Sequence, residues 1–297
     1  MATERELNKR IKSIKNISQV TSALAAVSAS KASRAQKQVE ATRDYAGKAF
    51  EILNNLAAQP DAAHPLLTVR TTVNKVGLIL ISGDRGLCGA YNTNIINRVE
   101  AFMRTLTAPV EVVTVGRKGR DLMIRRGYNV VATFENPDTP SILDITPIAK
   151  IVTEDYLAGK VDQVFIAYTD FVNLINRRPT VKQLLPLKPL DFEGMAMAEY
   201  VQHVDFKSAS LRTYTYEPRP DVLLDVVVPR FTQLQIYQSI LEALASEHSA
   251  RMVAMNNATD NAAELIDVLT LERNKARQTS ITSEILDIVG GAESLRK

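Results

Sequence analysis

The two ends of this chain constrain it most. Residues 3–57 and 231–290 each read as one long helix almost free of breakers, with strand-like sequence between them. At ~1.5 Å per residue, each helix would run roughly 80–90 Å. An ordinary globular helix has about three turns. A helix of such length cannot bury its apolar stripe against its own middle domain. It needs another helix, and the nearest candidate is the one at the opposite end of the chain. The expected architecture is α/β, a long antiparallel coiled coil of the N- and C-terminal helices with an inserted α/β domain. The expected boundaries are 1–57 and 231–297 for the coiled coil, 74–217 for the α/β domain, and 58–73 and 218–230 for connectors.

The C-terminal helix carries the clearer pattern. Leu234, Tyr237, Leu241, Leu244, His248, Arg251, Met255, Ala258, Ala262, Leu265, Leu269, Glu272, Ala276, Thr279, Ser283 and Leu286 alternate steps of three and four. That alternation is the seam of a left-handed coiled coil. His248, Arg251 and Glu272 stand where apolar knobs belong. They imply local exposure, a polar register lock, or contact with other proteins on several faces. In the N-terminal helix the apolar set runs Leu7, Ile11, Ile14, then Ile17, Val20, Leu24, Val27, and the extra step of three predicts a break in heptad phase. From Thr21 to Ala35 the residues are mostly Ala and Ser, which keep a helix slim. Neither helix, so bounded, has a proline away from its ends.

Composition narrows the function classes. With 297 residues, 45% of them hydrophobic, the chain can bury a sizeable core. The net charge of +3 does not by itself call for nucleic acid. The charge is uneven, however. Arg5, Lys9, Arg10, Lys12, Lys15, Lys31, Arg34 and Lys37 face only Glu6 between residues 5 and 37. Such a basic helix suits DNA, a membrane surface, an acidic protein or plain solvent. It lacks the interleaved aromatics of a base-stacking surface. A single cysteine, Cys88, permits no internal disulfide and fits a reducing compartment. His64, His203 and His248 are scattered, and no zinc spacing exists, so no metal site or cofactor is expected. The charged start and the lack of an 18-residue apolar run predict a soluble or peripheral protein.

In the middle, Val76–Ile81 is a continuous apolar run of the kind found in buried parallel strands. Similar runs follow at 110–115, 128–134 and 161–168, separated by helical stretches at 90–105, 117–126 and 144–158. The alternation predicts a parallel, doubly wound sheet. Residues 178–190 and 210–217 read as later strands or extended connectors. The loop after the first strand, Ser82-Gly83-Asp84-Arg85-Gly86-Leu87-Cys88-Gly89, lies where α/β folds often bind phosphate. Its G-x-x-G-x-x-G spacing is neither the dinucleotide fingerprint nor the P-loop. A tight turn and close strand–helix packing are the expected uses of these glycines. Asp84 and Asp170 are expected to be caps or turn residues. No hydrolase elbow, zincin motif or Cys/His nucleophile pair is present, so no catalytic residue is assigned.

Three blocks resemble the gamma subunit of F-type ATP synthases, and together they span almost the whole chain. The first is Arg10-Ile11-Lys12-Ser13-Ile14-Lys15-Asn16-Ile17 with Gln19-Val20-Thr21, Lys31 and Arg34. The second is Asp84-Arg85-Gly86-Leu87-Cys88-Gly89 with Asn92. The third and most specific runs from Ile281 through Gly290-Gly291-Ala292-Glu293-Ser294. Ser246–Met252 and Asn257–Ala262 also look like that family. Leu24 stands where many members have methionine, and Ala90-Tyr91 where another short sequence is common. The plant chloroplast cysteine insert and an organelle presequence are absent, which favours a bacterial origin.

The resemblance implies a central-stalk rotor. The paired end helices would form a shaft inside a ring of alpha and beta subunits. The Rossmann-like domain would form a foot on the membrane ring of c subunits, beside epsilon. The ATP chemistry would lie in the beta subunits. It implies no nucleic-acid partner and no direct small-molecule substrate, and places the protein peripherally on the cytoplasmic side of a bacterial inner membrane. It also implies that Arg277, Gln278 and Thr282 hydrogen-bond to a beta-subunit loop. Positions 278 and 282 share a helix face, with 277 beside it. Tyr214, Tyr216 and Glu217 match a Tyr-x-Tyr-Glu segment near the ring or epsilon. A nucleic-acid module, a nucleotide-binding enzyme and a coiled-coil scaffold without a rotary role are the alternatives that the residues alone leave open.

Overall fold

The structure is a computed structural model that describes residues 3–59, 64–187 and 216–294. Two helices dominate it, α1 (Glu4–Ala57) and a C-terminal helix (Pro220–Ser294), with the strands and shorter helices between them. In chain order the latter are β1 (Val76–Ile81), α2 (Tyr91–Met103), β2 (Val110–Val115), α3 (Arg117–Arg125), β3 (Asn129–Phe134), α4 (Ile142–Leu157), β4 (Gln163–Phe171) and β5 (Arg177–Leu185), and the C-terminal helix is α5.

Local chemistry sets the ends of the long helices. Thr3 and Glu6 form a reciprocal capping box at the start of α1. The Thr3 Oγ1 accepts from the Glu6 amide at 3.3 Å, and Glu6 Oε2 accepts from the Thr3 amide at 3.1 Å. Pro220 opens α5, where its missing N–H costs nothing. The helix therefore begins at Pro220 rather than at 231, and the expected connector 218–230 is largely helical. Pro229 lies inside α5, which hid this start: a proline removes one intrahelical hydrogen bond and usually reads as a boundary.

The sheet order is β3-β2-β1-β4-β5. β1 pairs in parallel with β2 and β4, and β2 pairs in parallel with β3. β5 departs from the parallel expectation and pairs antiparallel with β4. Only residues 172–176 join these two strands, too few for a crossover but enough for a hairpin. β1 alternates between two cores. Leu78 and Leu80 pack with Ile95, Ile96 and Val99 of α2 and Met123 of α3. Ile79 and Ile81 pack on the other face with Ile145 and Val152 of α4, Phe50 and Leu53 of α1, and Ile236 and Ile240 of α5.

The chain divides into two compact units, Met1–Ser28 with Arg251–Lys297, and Ala29–Ala250. α1 and α5 run antiparallel within each. In the first, Leu7 and Ile11 pack on Leu269, and the hydroxyls of Thr21 and Thr259 meet at 2.7 Å. In the second, Thr42 Oγ1 donates to Gln238 Oε1 at 2.6 Å, and the Phe50 and Phe231 rings lie 6.1 Å apart.

The seam runs differently from the apolar pattern. On α1 the inward positions continue from Leu7, Ile11 and Ile14 through Ser18, Thr21, Ala25, Ser28, Ala32, Ala35 and Val39, all buried or half-buried, with no break in the 3–4 alternation. Ile17 (53% exposed), Val20 (59%) and Val27 (56%) point outward. On α5 the seam passes through Met255, Thr259, Ala262, Ile266 and Leu269, so the expected knob Leu265 is 46% exposed and Glu272 is exposed. His248, by contrast, is buried. From Ser18 to Ala35 small Ala, Ser and Thr side chains occupy the inward face of α1, so the seam there does not follow hydropathy.

Candidate functional site

The glycine loop comes first, because it occupies the end of the sheet where α/β folds bind ligands. Several amides around it are already bonded within the fold. Asp84 Oδ1 accepts from the Arg117 amide at 2.8 Å, the first residue of α3, and its Oδ2 accepts from the Asn136 amide at 3.1 Å. The carbonyl of Gly83 accepts from the Lys118 amide at 3.1 Å, and Ser82 Oγ accepts from the Gly119 amide at 2.8 Å. The Gly83 amide donates to Asn92 Oδ1 at 2.9 Å. Asp84 thus serves as the expected cap, across the loop and on another helix. Its neighbour Arg117 also brings Nε within 3.6 Å.

The glycines here permit close approach. A Cβ on Gly116, at φ +98°, would fall 2.1 Å from the Ser82 carbonyl oxygen, and one on Gly83 would fall 2.9 Å from the Glu247 carboxyl carbon. Glu247 of α5 therefore lies against the loop. Asp170 does not fit its expectation as a cap or turn residue. It is buried within β4 and pairs with Arg178 at 3.0 Å. A strand interior tolerates such an acid because the antiparallel neighbour supplies the cation. Among the described residues no cluster of three or more His, Cys, Asp or Glu is placed to hold a metal.

Arg277, Gln278 and Thr282 are all exposed on α5. Thr282 Oγ1 donates to the Gln278 carbonyl at 2.9 Å, so one turn joins these two and the hydroxyl oxygen keeps its acceptor capacity. Several large apolar residues are exposed nearby: Ile281, Ile285, Leu286, Ile288 and Val289. Tyr214 lies outside the described residues. Tyr216 is half-buried and packs on the larger core, while Glu217 is exposed, so of these two only Glu217 presents a free side chain surface. The basic residues Arg5, Lys9, Arg10, Lys12 and Lys15 are exposed on α1. Lys31 instead pairs with Asp138 at 2.8 Å, and that hydrogen bond holds the Asp138 carboxyl below its usual range.

The sequence pattern missed one surface. Ile17, Val20 and Val27 were expected in the coiled-coil seam and form an outward stripe instead. The run of small residues from Thr21 to Ala35 was the signal that could have revealed it.

A mostly parallel α/β domain inserted between two antiparallel terminal helices defines the structural class. The sequence matches the ATP synthase family over residues 3–295. It is 44% identical over 299 residues to an ATP synthase gamma chain of Dehalococcoides mccartyi, covering 99% of this chain and 100% of that one. It is 40% identical over 297 residues to the ATP synthase gamma chain of Moorella thermoacetica, with 100% of both covered. Among solved structures, a chain of the Euglena gracilis mitochondrial ATP synthase, in an OSCP/F1/c-ring assembly, superposes with a TM-score of 0.66 at 20% identity. That match covers 98% of this chain and 94% of that one. The central stalk and c-ring structure from Tetrahymena thermophila gives 0.59 at 24% identity, covering 80% and 99%. The chain belongs to the ATP synthase gamma family.

Proposed function

We propose that the chain is the central-stalk rotor subunit of an F-type ATP synthase, coupling rotation of a membrane ring to conformational cycling of catalytic subunits. It is a non-catalytic subunit, and ATP is made or broken in the beta subunits. The observation that best supports this role, beyond family membership, is the exposed apolar surface of the two long helices. Ile17, Val20 and Val27 face outward on α1, and Ile285, Ile288 and Val289 are exposed on α5. Large exposed apolar stripes on a soluble chain mark surfaces that another protein covers. Here they fit the inner wall of a ring of alpha and beta subunits.

In this reading residues 1–57 and 231–297 are the shaft, 74–217 the foot and 58–73 a connector, while the expected connector 218–230 is for the most part the first turns of α5. Torque arises from differential contact energy between the shaft and successive catalytic subunits. Apolar sliding contact suits it, because no single angular state is held by deep directional bonds. Arg277, Gln278 and Thr282 form a catch for a beta-subunit loop. Arginine supplies a bidentate pair with a carboxylate, while the amide and hydroxyl add neutral bonds. The foot meets epsilon and the ring of c subunits, and Tyr214, Tyr216 and Glu217 belong to that contact. The protein works peripherally at the cytoplasmic face of a bacterial inner membrane. Among the described residues no helix is long and apolar enough to cross one.

Co-expression with alpha and beta subunits tests the role. One copy of this chain should co-purify per ring and turn when ATP is supplied. A ring that forms and hydrolyses ATP without retaining the chain would sink the proposal. Arg277→Ala tests the catch. It should lower ATP turnover of the assembled complex while the isolated chain folds as before. Unchanged turnover in a normally assembled complex removes Arg277 from the catch.

A further inference from the structure

In the second unit, three pieces of chain close around residues 243–250 of α5. At the start of α2, Tyr91 donates its buried hydroxyl to the Ala243 carbonyl at 3.0 Å. Cys88 and Tyr91 form a buried cluster with Ala250. Gly83 approaches Glu247 so closely that a Cβ would stand 2.9 Å from its carboxyl carbon. From the β4–β5 turn, Leu174 accepts from Ser249 Oγ at 2.5 Å, and Arg177 Nη1 reaches both that hydroxyl (3.4 Å) and the Leu174 carbonyl (3.3 Å). Phe171, at the end of β4, joins Ala35 of α1 and Ala245 in another buried cluster.

These contacts fall on opposite sides of the helix. At about 100° per residue, 243, 247 and 250 share one face, and 245 and 249 lie roughly half a turn away. A helix held on one face can roll against its support. Held on opposite faces by groups that differ in shape and bonding, it can neither roll nor slide without breaking both sets. The grip also ends at Ala250, the last residue of the unit.

We propose that this double-sided grip is a torsional key. It fixes the angle of α5 about its own axis inside the α/β unit, so that rotation of that unit passes into the helix without slip. Tyr91 and Ser249 are positioning residues in this device. The inference rests on the rotor reading.

The test uses the complete complex, surface-held through its catalytic ring, with a bead on the α/β unit through a cysteine at the exposed position Thr93. Angular fluctuation of the bead during each dwell reports torsional slack, which a role in folding alone would not change. Tyr91→Phe with Ser249→Ala removes a hydrogen bond from each side and little volume. The variant should rotate and hydrolyse ATP at the unmodified rate, with bead fluctuations at least twofold wider in variance. Tyr91→Phe alone should give part of that widening and serves if the double variant does not fold. Unchanged variance in either folded variant overturns the key. If the unmodified complex fails to rotate on ATP, the rotor reading has failed instead.

Discussion

α5 is two different helices in one chain. From Phe231 to Ala250 every residue except the half-buried Tyr237 is buried, yet this stretch is rich in polar residues: Gln235, Gln238, Ser239, Glu242, Ser246, Glu247, His248 and Ser249. From Arg277 to Ala292 every residue is exposed, yet Ile281, Ile285, Leu286, Ile288 and Val289 are large and apolar. In neither stretch does burial follow polarity: the first buries its polar residues along with its apolar ones, and the second exposes both. Some of these buried groups are matched within the chain: Thr42 donates to Gln238, whose Nε2 donates to Glu242 Oε1 at 3.1 Å, a network that favours one arrangement, while the Gln235 amide and the Ser246 hydroxyl find no hydrogen-bond partner among the described residues. Exposed apolar groups accept any apolar wall at many angles. One stretch is packed within its own chain, and the other is left exposed by it.

Substitutions can break or sharpen that contrast. The largest stability effect should come from Ile240→Ala, which empties a fully buried position in the main core. The expected loss is about 2–5 kcal/mol, read by denaturant unfolding of the isolated chain. A loss below about 1 kcal/mol would mean that the polar-rich stretch is not tightly packed. Next is Thr42→Val, which leaves the buried Gln238 amide oxygen without its hydroxyl donor. About 1–3 kcal/mol should be lost. Adding Gln238→Leu should recover part of it, and strictly additive losses would show that the two residues do not act as a pair.

A smaller, pH-dependent effect belongs to His64. Its Nδ1 accepts from the Leu66 amide at 3.1 Å, and its Nε2 lies 3.7 Å from Asp225 at the start of α5. Burial lowers its pKa below 6.5, and the Asp225 charge opposes that only in part. The folded state therefore holds the proton less tightly than the unfolded chain. The stabilisation is complete above about pH 6.5 and is lost as pH falls from there through the folded value. Comparing melting of the unmodified chain and His64→Asn at about pH 7.5 and 5.5 checks the sign. The asparagine variant should show the flatter dependence, and an equal dependence would clear His64. At the bottom of the scale, Ile285→Ser should leave the melting of the isolated chain within about 0.5 kcal/mol of its starting stability. Its effect should appear as weaker retention by the catalytic ring. A marked stability loss would mean that this apolar surface is covered within the chain after all.

Much of the fold was legible because hydropathy contrast was strong. The continuous run Val76–Ile81 and the alternation of strands with helices located the sheet, and the absence of breakers located the long helices. The seam phase was illegible for the opposite reason. Ser18, Thr21, Ala25 and Ser28 carry almost no contrast, so Ile17, Val20 and Val27 drew the eye to the wrong side. The start of α5 was hidden by Pro229. The antiparallel β5 followed from a loop length that the sequence showed but that strand order obscured. At the candidate sites, spacing placed Gln278 and Thr282 on one face, whereas the Gly83–Glu247 approach joins residues remote in sequence and left no local mark.

The small-residue seam has a consequence for how the chain can vary. Ala25, Ala32 and Ala35 can change only by growing, which would overpack a buried seam, or by becoming glycine, which would weaken the helix. The outward Ile17, Val20 and Val27 can shrink, grow or exchange without disturbing their own helix. Drift should therefore accumulate on the outer surface, in step with whatever lies opposite it, while the plain alanines beneath stay fixed. A catalogue of tolerated variants would rank the least conspicuous side chains of α1 as its least replaceable.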